Sequence, residues 1–569
     1  METIHILKKL LTRDLKGARK VFYHEITGTE YEYWNGIRLL FQNINYRVPN
    51  DMTLTIMIPE ELLHLEQMDA SYRVYYEDFL LRSVSPGLSE LAASLVNDNR
   101  ETRARGEIHI QEFDKRIVKR TGMTYEDGFF RLRIMCRLPL MGVEHIEAKA
   151  CVRLIGSILQ CITTWAEHFS DEELLANLDL YKEQQEIRNY ISENGYCCFI
   201  GNGSVITRNE KGDGPLENAI PFVSPTEDEI AIPLSNGKTI RGMAIRKNTV
   251  TVITGGGYSG KTTLLDGIES GIYDHVRGDG REYIITDQTA LKTFAEDGRP
   301  VNHLNLSPFF KDDFLDQHID SFYTDYASGS VSQAANIVEA LYAGSKLLLV
   351  DEDKSATNFL VKDEMMRRIN PNDPIIPFTD RIREIVDEKN ASVIMVVGAV
   401  SAYFEYADTI FLAEKFSFRN VTGIVPKKTV EERDRCSEWG DKRVCQRSGD
   451  WKDTMFRTVN TENSRMIYVG SYCVDVLPLS AIVSNDQLNS LAYAMERLLS
   501  QPSSFEIREM AEKLVDELLL EDTRPATSLE RMISQKNRWF EEVRPIDIIC
   551  CLSRVRGVCL GNVSFMETI

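Results

Sequence analysis

No uninterrupted apolar run approaches the roughly 18 residues that a membrane-spanning helix needs, which argues against a self-contained transporter. The first twenty residues, METIHILKKLLTRDLKGARK, lack the apolar centre and small-residue cleavage site of a secretory signal. Glu2 and Asp14 also count against an organellar presequence, so an amphipathic first helix and a cytoplasmic location are expected. There is no C-x-x-C pair among the eleven cysteines. They fall at irregular positions, including Cys197-Cys198 and Cys550-Cys551, and buried reduced thiols are expected rather than a zinc site or a disulfide framework. Positive charge is short: 66 Lys+Arg against 86 Asp+Glu gives a formal net charge of −20, so a polyanion partner needs a locally basic surface. Repeats and low-complexity tracts are missing too. With 43% hydrophobic and 27% charged residues, the chain is neither largely disordered nor fibrous. Its 569 residues suffice for three or four domains of about 100–200 residues.

Within that frame three regions separate. Residues 1–168 alternate strand-like runs (Leu54 to Ile58, Glu107 to Ile110, Arg131 to Ile134) with helical patterns, which predicts an N-terminal α+β accessory domain. A helical stretch from Asp171 to Ser192 and then Gly-, Asn- and Pro-rich loops open the second region, 169–435. Its apolar runs, Lys346 to Val350 and Ser392 to Val397, do not alternate and are separated by helices, the pattern of buried strands in a mainly parallel α/β sheet. Residues 465–569 read as a small, mainly helical C-terminal domain, with Phe505 to Leu520 the clearest amphipathic helix.

The second region carries the chemistry. Gly255-Gly256-Gly257-Tyr258-Ser259-Gly260-Lys261-Thr262 fits G-x-x-x-x-G-K-[ST], follows the β-branched run Thr249 to Thr254, and opens a helix at Thr263. Such a loop turns backbone N–H groups around the phosphates of ATP, and the helix N-terminus adds its partial positive charge. Lys261 is expected to reach the β- and γ-phosphates, and the Thr262 hydroxyl to ligate Mg²⁺. Farther on, Leu347-Leu348-Leu349-Val350-Asp351-Glu352 is an apolar strand ending in two carboxylates. Asp351 is expected to hold Mg²⁺, and Glu352 to polarise an attacking water, a group that a small-molecule kinase does not need.

Between these motifs lies Ala327-Ser328-Gly329-Ser330, followed by a helical run to Tyr342 that leads into the carboxylate strand. A Ser/Gly-rich stretch alone is as readily a bland loop, but in this place it resembles the signature of ABC-class ATPases. After the carboxylates, Asp353-Lys354-Ser355-Ala356-Thr357-Asn358 resembles their D-loop, with Asn358 where Asp is usual. Further stretches, Gly242 to Ile245, Gly278 to Glu282, Ala295 to Arg299, Asp351 to Phe359, and Tyr403-Phe404 with Ala407-Asp408, are similar to the stand-alone family of predicted ATPases of the ABC class. The resemblance is strong over about 195–410 and weaker at both ends. It implies an N-terminal domain, a central ABC ATPase domain and a small C-terminal one. It further implies a homodimer that sandwiches two ATP molecules, in which the signature residues Ser328, Gly329 and Ser330 bind the γ-phosphate held by the opposite protomer.

Several positions depart from that pattern. The last of nine histidines is His318, so no switch histidine can follow Asp351. The corresponding strand end reads Gly398-Ala399-Val400-Ser401, where the family favours a more Gly-rich run, and Ser259 stands where a histidine is expected. Gln288, just after Tyr283 to Thr286, is a candidate Q-loop glutamine or else a surface turn. Phe222 either stacks on adenine or belongs to the core.

The client is the remaining question. Residues 100–137 hold ten basic residues against six acidic ones, and Arg131, Arg133 and Arg137 share one face if the segment is a strand. They are candidate contacts to RNA or other nucleic acid, or else a solvated, internally paired face. Two function classes follow: an Mg-ATP-hydrolysing clamp that engages nucleic acid, and a nucleotide-gated scaffold for a protein partner with negligible hydrolysis.

Overall fold

The computed structural model describes residues 2–3, 25–42, 51–96, 106–141, 145–311, 318–425, 436, 439, 442–446, 456–461, 464–501, 503–519 and 539–562. The amphipathic N-terminal helix expected at the start of the chain, and Arg100, Arg103 and Arg105 of the basic stretch, lie outside the described residues. The chain divides into two compact units. One comprises residues 1–179 with 519–526 and 530–542, and the other 180–518 with 527–529 and 543–569. The C-terminal residues are thus shared between the units.

The first unit is α+β. Strands β1 (Glu30–Glu32), β2 (Arg38–Gln42), β3 (Asp51–Pro59), β4 (Glu107–His109), β5 (Met123–Glu126) and β6 (Phe129–Arg137) form, with the short Glu2–Thr3, one seven-stranded sheet. Helices α1 (Arg73–Val96) and α2 (Ala148–Glu167) pack on each other beside it. Period-two alternation puts Phe130, Leu132, Ile134 and Cys136 of β6 on one face, all fully buried. Arg131, Arg133 and Arg137 take the other.

The second unit is built around two larger sheets. After α3 (Asp171–Glu193), which begins in the first unit, β7 (Tyr196–Gly201), β8 (Glu229–Pro233) and β9 (Thr239–Arg246) pair antiparallel. Next come β10 (Val250–Thr254), α4 (Lys261–Ser270), β11 (Ile284–Thr286), β12 (Leu291–Thr293), α5 (Gly329–Tyr342), β13 (Leu347–Asp351), α6 (Phe378–Glu388), β14 (Ser392–Val397), β15 (Thr409–Glu414) and β16 (Ser417–Asn420). β11 joins the antiparallel sheet, whose order is β8-β9-β7-β11. The main sheet runs β12-β13-β14-β10-β15-β16, parallel except at β16. Every residue of β13 and β14 is buried, which is why these strands read as unbroken apolar runs: helices cover both faces of a parallel sheet.

The remainder of this unit opens with a three-stranded antiparallel sheet, β17 (Phe456–Thr461), β18 (Ser464–Val469) and β19 (Tyr472–Asp475), and continues in helices α7 (Asn485–Leu499), α8 (Ile507–Leu518) and α9 (Pro545–Leu552). On α8, Ile507, Ala511, Leu514 and Leu518 are buried at helical spacing, the amphipathic face read above. No disulfide joins any of the eleven cysteines, and burial pushes the thiols of Cys198, Cys550 and Cys551 up to about 12. Among the described residues no helix is long and apolar enough to cross a membrane, and no His/Cys/Asp/Glu group is set to hold a metal.

Candidate ATP-binding site

Parallel strands β10, β13 and β14 end at one edge of the main sheet, so the loops leaving them meet there. The loop after β10 is shaped by glycines at two points. Gly255 has φ +147, and a Cβ on it would lie 2.3 Å from the Ala413 carbonyl oxygen of β15; Gly260 has φ +99, and a Cβ there would strike the Phe416 ring at 2.7 Å. Gly256 and Gly257 are exposed, and added Cβ atoms would meet nothing within 4 Å, which leaves a concavity open in front of the α4 N-terminus. Lys261 is only 9% exposed, and its Nζ donates to the carbonyl oxygens of Gly255 and Gly256, 2.8 Å each. Ser259 Oγ is buried with no hydrogen-bond partner. Across the edge, Thr262 Oγ1 donates to Asp351 Oδ2 at 3.3 Å, a separation at which one Mg²⁺ can touch both oxygens, directly or through water. The open glycines, the unpartnered Ser259 hydroxyl and this oxygen pair fit a bound Mg-nucleotide.

Tyr258 is the odd member of the loop. Its φ is +58, and its side chain is fully exposed at 102%. The left-handed backbone costs about 1 kcal/mol in a residue with a Cβ, with no burial to offset it. Tyr258→Gly is therefore expected to raise the thermal midpoint by about 2 °C rather than lower it, read by calorimetry.

At the same edge, Glu352 Oε2 accepts the backbone N–H groups of Gly398 (2.6 Å) and Ala399 (3.1 Å), from the loop that follows β14. The signature segment is brought in by α5, a helix buried on nearly all sides. Ser330 Oγ donates to Asn358 Oδ1 at 2.8 Å, Gln333 Nε2 donates to Ser355 Oγ at 2.8 Å, and Gln333 Oε1 accepts the Ala356 N–H. Ser355 Oγ in turn donates to the Asp351 carbonyl. Ser328 is exposed at the N-cap, and its hydroxyl makes no capping hydrogen bond to its own helix. A side chain on Gly329 would press on Asp297 Oδ1 at 3.0 Å.

Other candidates sit elsewhere. Gln288 lies in the turn before β12, beside the start of β13, where neighbouring Thr289 Oγ1 accepts the Lys346 N–H. That is the opposite end of the sheet from Asp351, so the structure does not bring Gln288 to the phosphate edge. The segment that leaves β12 toward that edge is Phe294 to Arg299, and it contains the residue that the sequence reading missed, Glu296. Its backbone N–H donates to Ser332 Oγ, its carboxylate accepts from Asn336 and Arg554, and the Ala295 N–H reaches the Lys354 carbonyl. The signal was there in Ala295 to Arg299, quoted for its resemblance without a role. Phe222 is 2% exposed and packs against Phe418, in the core rather than at an adenine face. In the first unit, Arg131 pairs with Glu126 (2.6 Å), Arg137 with Glu107 (2.8 Å), and Arg133, 4% exposed, donates to the Thr121 carbonyl and to Thr124 Oγ1. All three guanidinium groups have partners inside the chain.

Comparison with known proteins supplies the family. Residues 170–445 match the P-loop domain of the ABC ATPase family, and residues 5–165 match the N-terminal domain of ATPases of the ABC class. An uncharacterized protein, MJ1628, of Methanocaldococcus jannaschii is 33% identical over 225 residues, 38% of this chain and 50% of that protein. The chain thus spans about half the length of that curated relative. Solved structures that align include CbiO1 of Clostridium perfringens, part of an ABC transporter complex (15% identity, TM-score 0.26, 39% of this chain and 87% of that one). The ATP-binding cassette MJ1267 in its ADP conformation also aligns (13%, TM-score 0.24, 39% and 89%). With both domains matched in order along the sequence, and the phosphate loop and paired carboxylates at one sheet edge, the chain belongs to the ATPases of the ABC class.

Proposed function

We propose that the chain binds Mg-ATP and hydrolyses it between two copies of itself, and that the closing and opening of this pair grip and release a client. The observation that carries the reading is the state of Ser328: exposed, uncapped, at the start of a helix whose next residues are bonded to Ser355 and Asn358. A helix N-terminus with a spare hydroxyl is an anion site, and here it sits on the same edge as the Asp351-Glu352 pair. In this reading Lys261 and the N–H groups of the Gly255–Gly260 loop hold the β- and γ-phosphates of one copy's ATP, and Ser328, Gly329 and Ser330 of the other copy cover the γ-phosphate. Glu352 orients a water and accepts its proton as the water attacks phosphorus and ADP leaves. Magnesium, when held through Thr262 and Asp351, supplies neutralising charge for the phosphate oxygens.

Mixing two inactive variants tests the sandwich. Lys261→Ala and Ser328→Arg are each expected to be nearly inactive alone. A mixed pair contains one intact composite site, so combining them restores part of the turnover. No recovery on mixing, with each variant folded, would sink the proposal.

A second reading, a nucleotide-gated scaffold with negligible hydrolysis, has one observation in its favour: Glu352 is engaged by Gly398 and Ala399 N–H groups, and the chain has no histidine beyond His318. Wild-type turnover no faster than that of Glu352→Gln would favour it. For the client, RNA or another nucleic acid is the class suggested by the basic 100–137 stretch. Its described arginines are already committed, Arg116 to Asp114 and Glu541, and Arg120 to Asp78. A nucleic-acid client must therefore use other cations, and its binding should fall steeply with salt, whereas a protein client should be nearly indifferent.

A further inference from the structure

The loop that joins β14 to β15 does two things at the site. Its first residues, Gly398 and Ala399, hold Glu352 Oε2 by their backbone N–H groups. Five residues on, it buries Tyr403, which is 1% exposed, beneath a turn closed by the Phe404 N–H to Ser401 and the Tyr406 N–H to Tyr403. The Tyr403 hydroxyl oxygen is buried with no hydrogen-bond partner. An unpaired buried hydroxyl is destabilising, and a phenylalanine would fill the same space without that cost, so the group needs an explanation. Its surroundings supply one. Burial first, and then the negative charge of Glu352, push the Tyr403 phenol well above its ordinary range, so the hydroxyl stays a neutral proton donor in the field of that carboxylate.

We infer that Tyr403 is a positioning residue for Glu352, the hydroxyl donating to the carboxylate once the Gly398 and Ala399 amides release it on nucleotide binding. The loop thereby offers Glu352 two alternative sets of donors. The backbone set holds Oε2, and the phenol orients the carboxylate toward the attacking water. A chain without a histidine beyond Asp351 thus has a side-chain donor on the loop where one is wanted. The inference rests on the proposed role of Glu352 as the group that accepts the water's proton.

Tyr403→Phe in the full chain is the test, with steady-state Mg-ATP turnover, binding of a fluorescent ATP analogue and the thermal midpoint all read on one preparation. The expected result is a kcat at least about fivefold lower, with KM and analogue affinity unchanged, a thermal midpoint equal to or above that of wild type, and no additional loss in the Glu352→Gln background. Turnover within twofold of wild type overturns the inference. So does a fall in kcat that comes with weaker analogue binding and a lower midpoint, since that is the signature of a packing role. If Glu352→Gln itself turns over like wild type, it is the role of Glu352 that fails, whatever Tyr403→Phe does.

Discussion

Glu352→Gln is expected to lower Mg-ATP turnover by about 10²- to 10⁴-fold while leaving nucleotide binding intact, the range associated with losing a positioned general base. The substitution is well suited to the site because the amide oxygen of Gln can still accept the Gly398 and Ala399 N–H groups that now bind Oε2. The loop after β14 therefore keeps its anchor, and what is lost is the capacity to take a proton from water. Because binding persists and hydrolysis does not, ATP should accumulate the paired state. Light scattering with and without Mg-ATP reads this as a doubling of mass in the variant that wild type shows only transiently. Wild-type turnover in Glu352→Gln would remove this residue from the chemistry and assign the water's proton to another acceptor.

Lys261→Ala should instead act on binding. Its ammonium is held against its own loop by the Gly255 and Gly256 carbonyls, so it is satisfied locally. ATP has to replace those two neutral acceptors by phosphate oxygens, and a charge-assisted hydrogen bond is about twice as strong as a neutral one. Losing a charged contact costs about 1.5–3 kcal/mol, so nucleotide affinity is expected to fall roughly 10- to 100-fold. The fold should be nearly untouched, since Gly256 is exposed and water can serve the abandoned carbonyl. Titration with a fluorescent ATP analogue beside a thermal melt separates the outcomes. An unchanged affinity would show that Lys261 stays on its carbonyls when nucleotide binds.

These two residues were legible without coordinates because their chemistry is local: a glycine loop between strand and helix, and two carboxylates at the end of an apolar strand, are each contained in a few consecutive residues. Strands β13 and β14 were legible for the same reason. Gln288 shows where such reading stops. The preceding run Tyr283 to Thr286 looks like the strand that should lead to the phosphate edge, yet Ile284–Thr286 belongs to the antiparallel sheet beside β7. The strand that does lead there is Leu291-Lys292-Thr293, three residues with a lysine at the centre. Burial works against that ammonium, but Glu269 outweighs it together with Asp266 and holds the Lys292 pKa above its ordinary range. A charge buried by partners on another helix leaves no trace in the pattern of its own segment. The arginines of β6 mislead in the opposite way: they do share a strand face, but their partners, Glu126, Glu107 and Thr121, come from neighbouring strands and turns.

The ties from α5 to the segment after β13 bear on how two sites would work in concert. Ser330 is bonded to Asn358 and Gln333 to Ser355, and Ser355 to the backbone of Asp351. In the proposed pair, the helix that touches one copy's γ-phosphate is thereby anchored to the backbone of the other copy's Asp351, the residue on the magnesium side. Whatever occupancy does to Asp351 in one half is transmitted by three hydrogen bonds to the lid over the opposite half. Two such sites cannot titrate as independent units: the affinity change that the first ATP imposes on the second equals the change the second imposes on the first. A nucleotide saturation curve from this architecture is accordingly a property of the pair, with a Hill coefficient away from one.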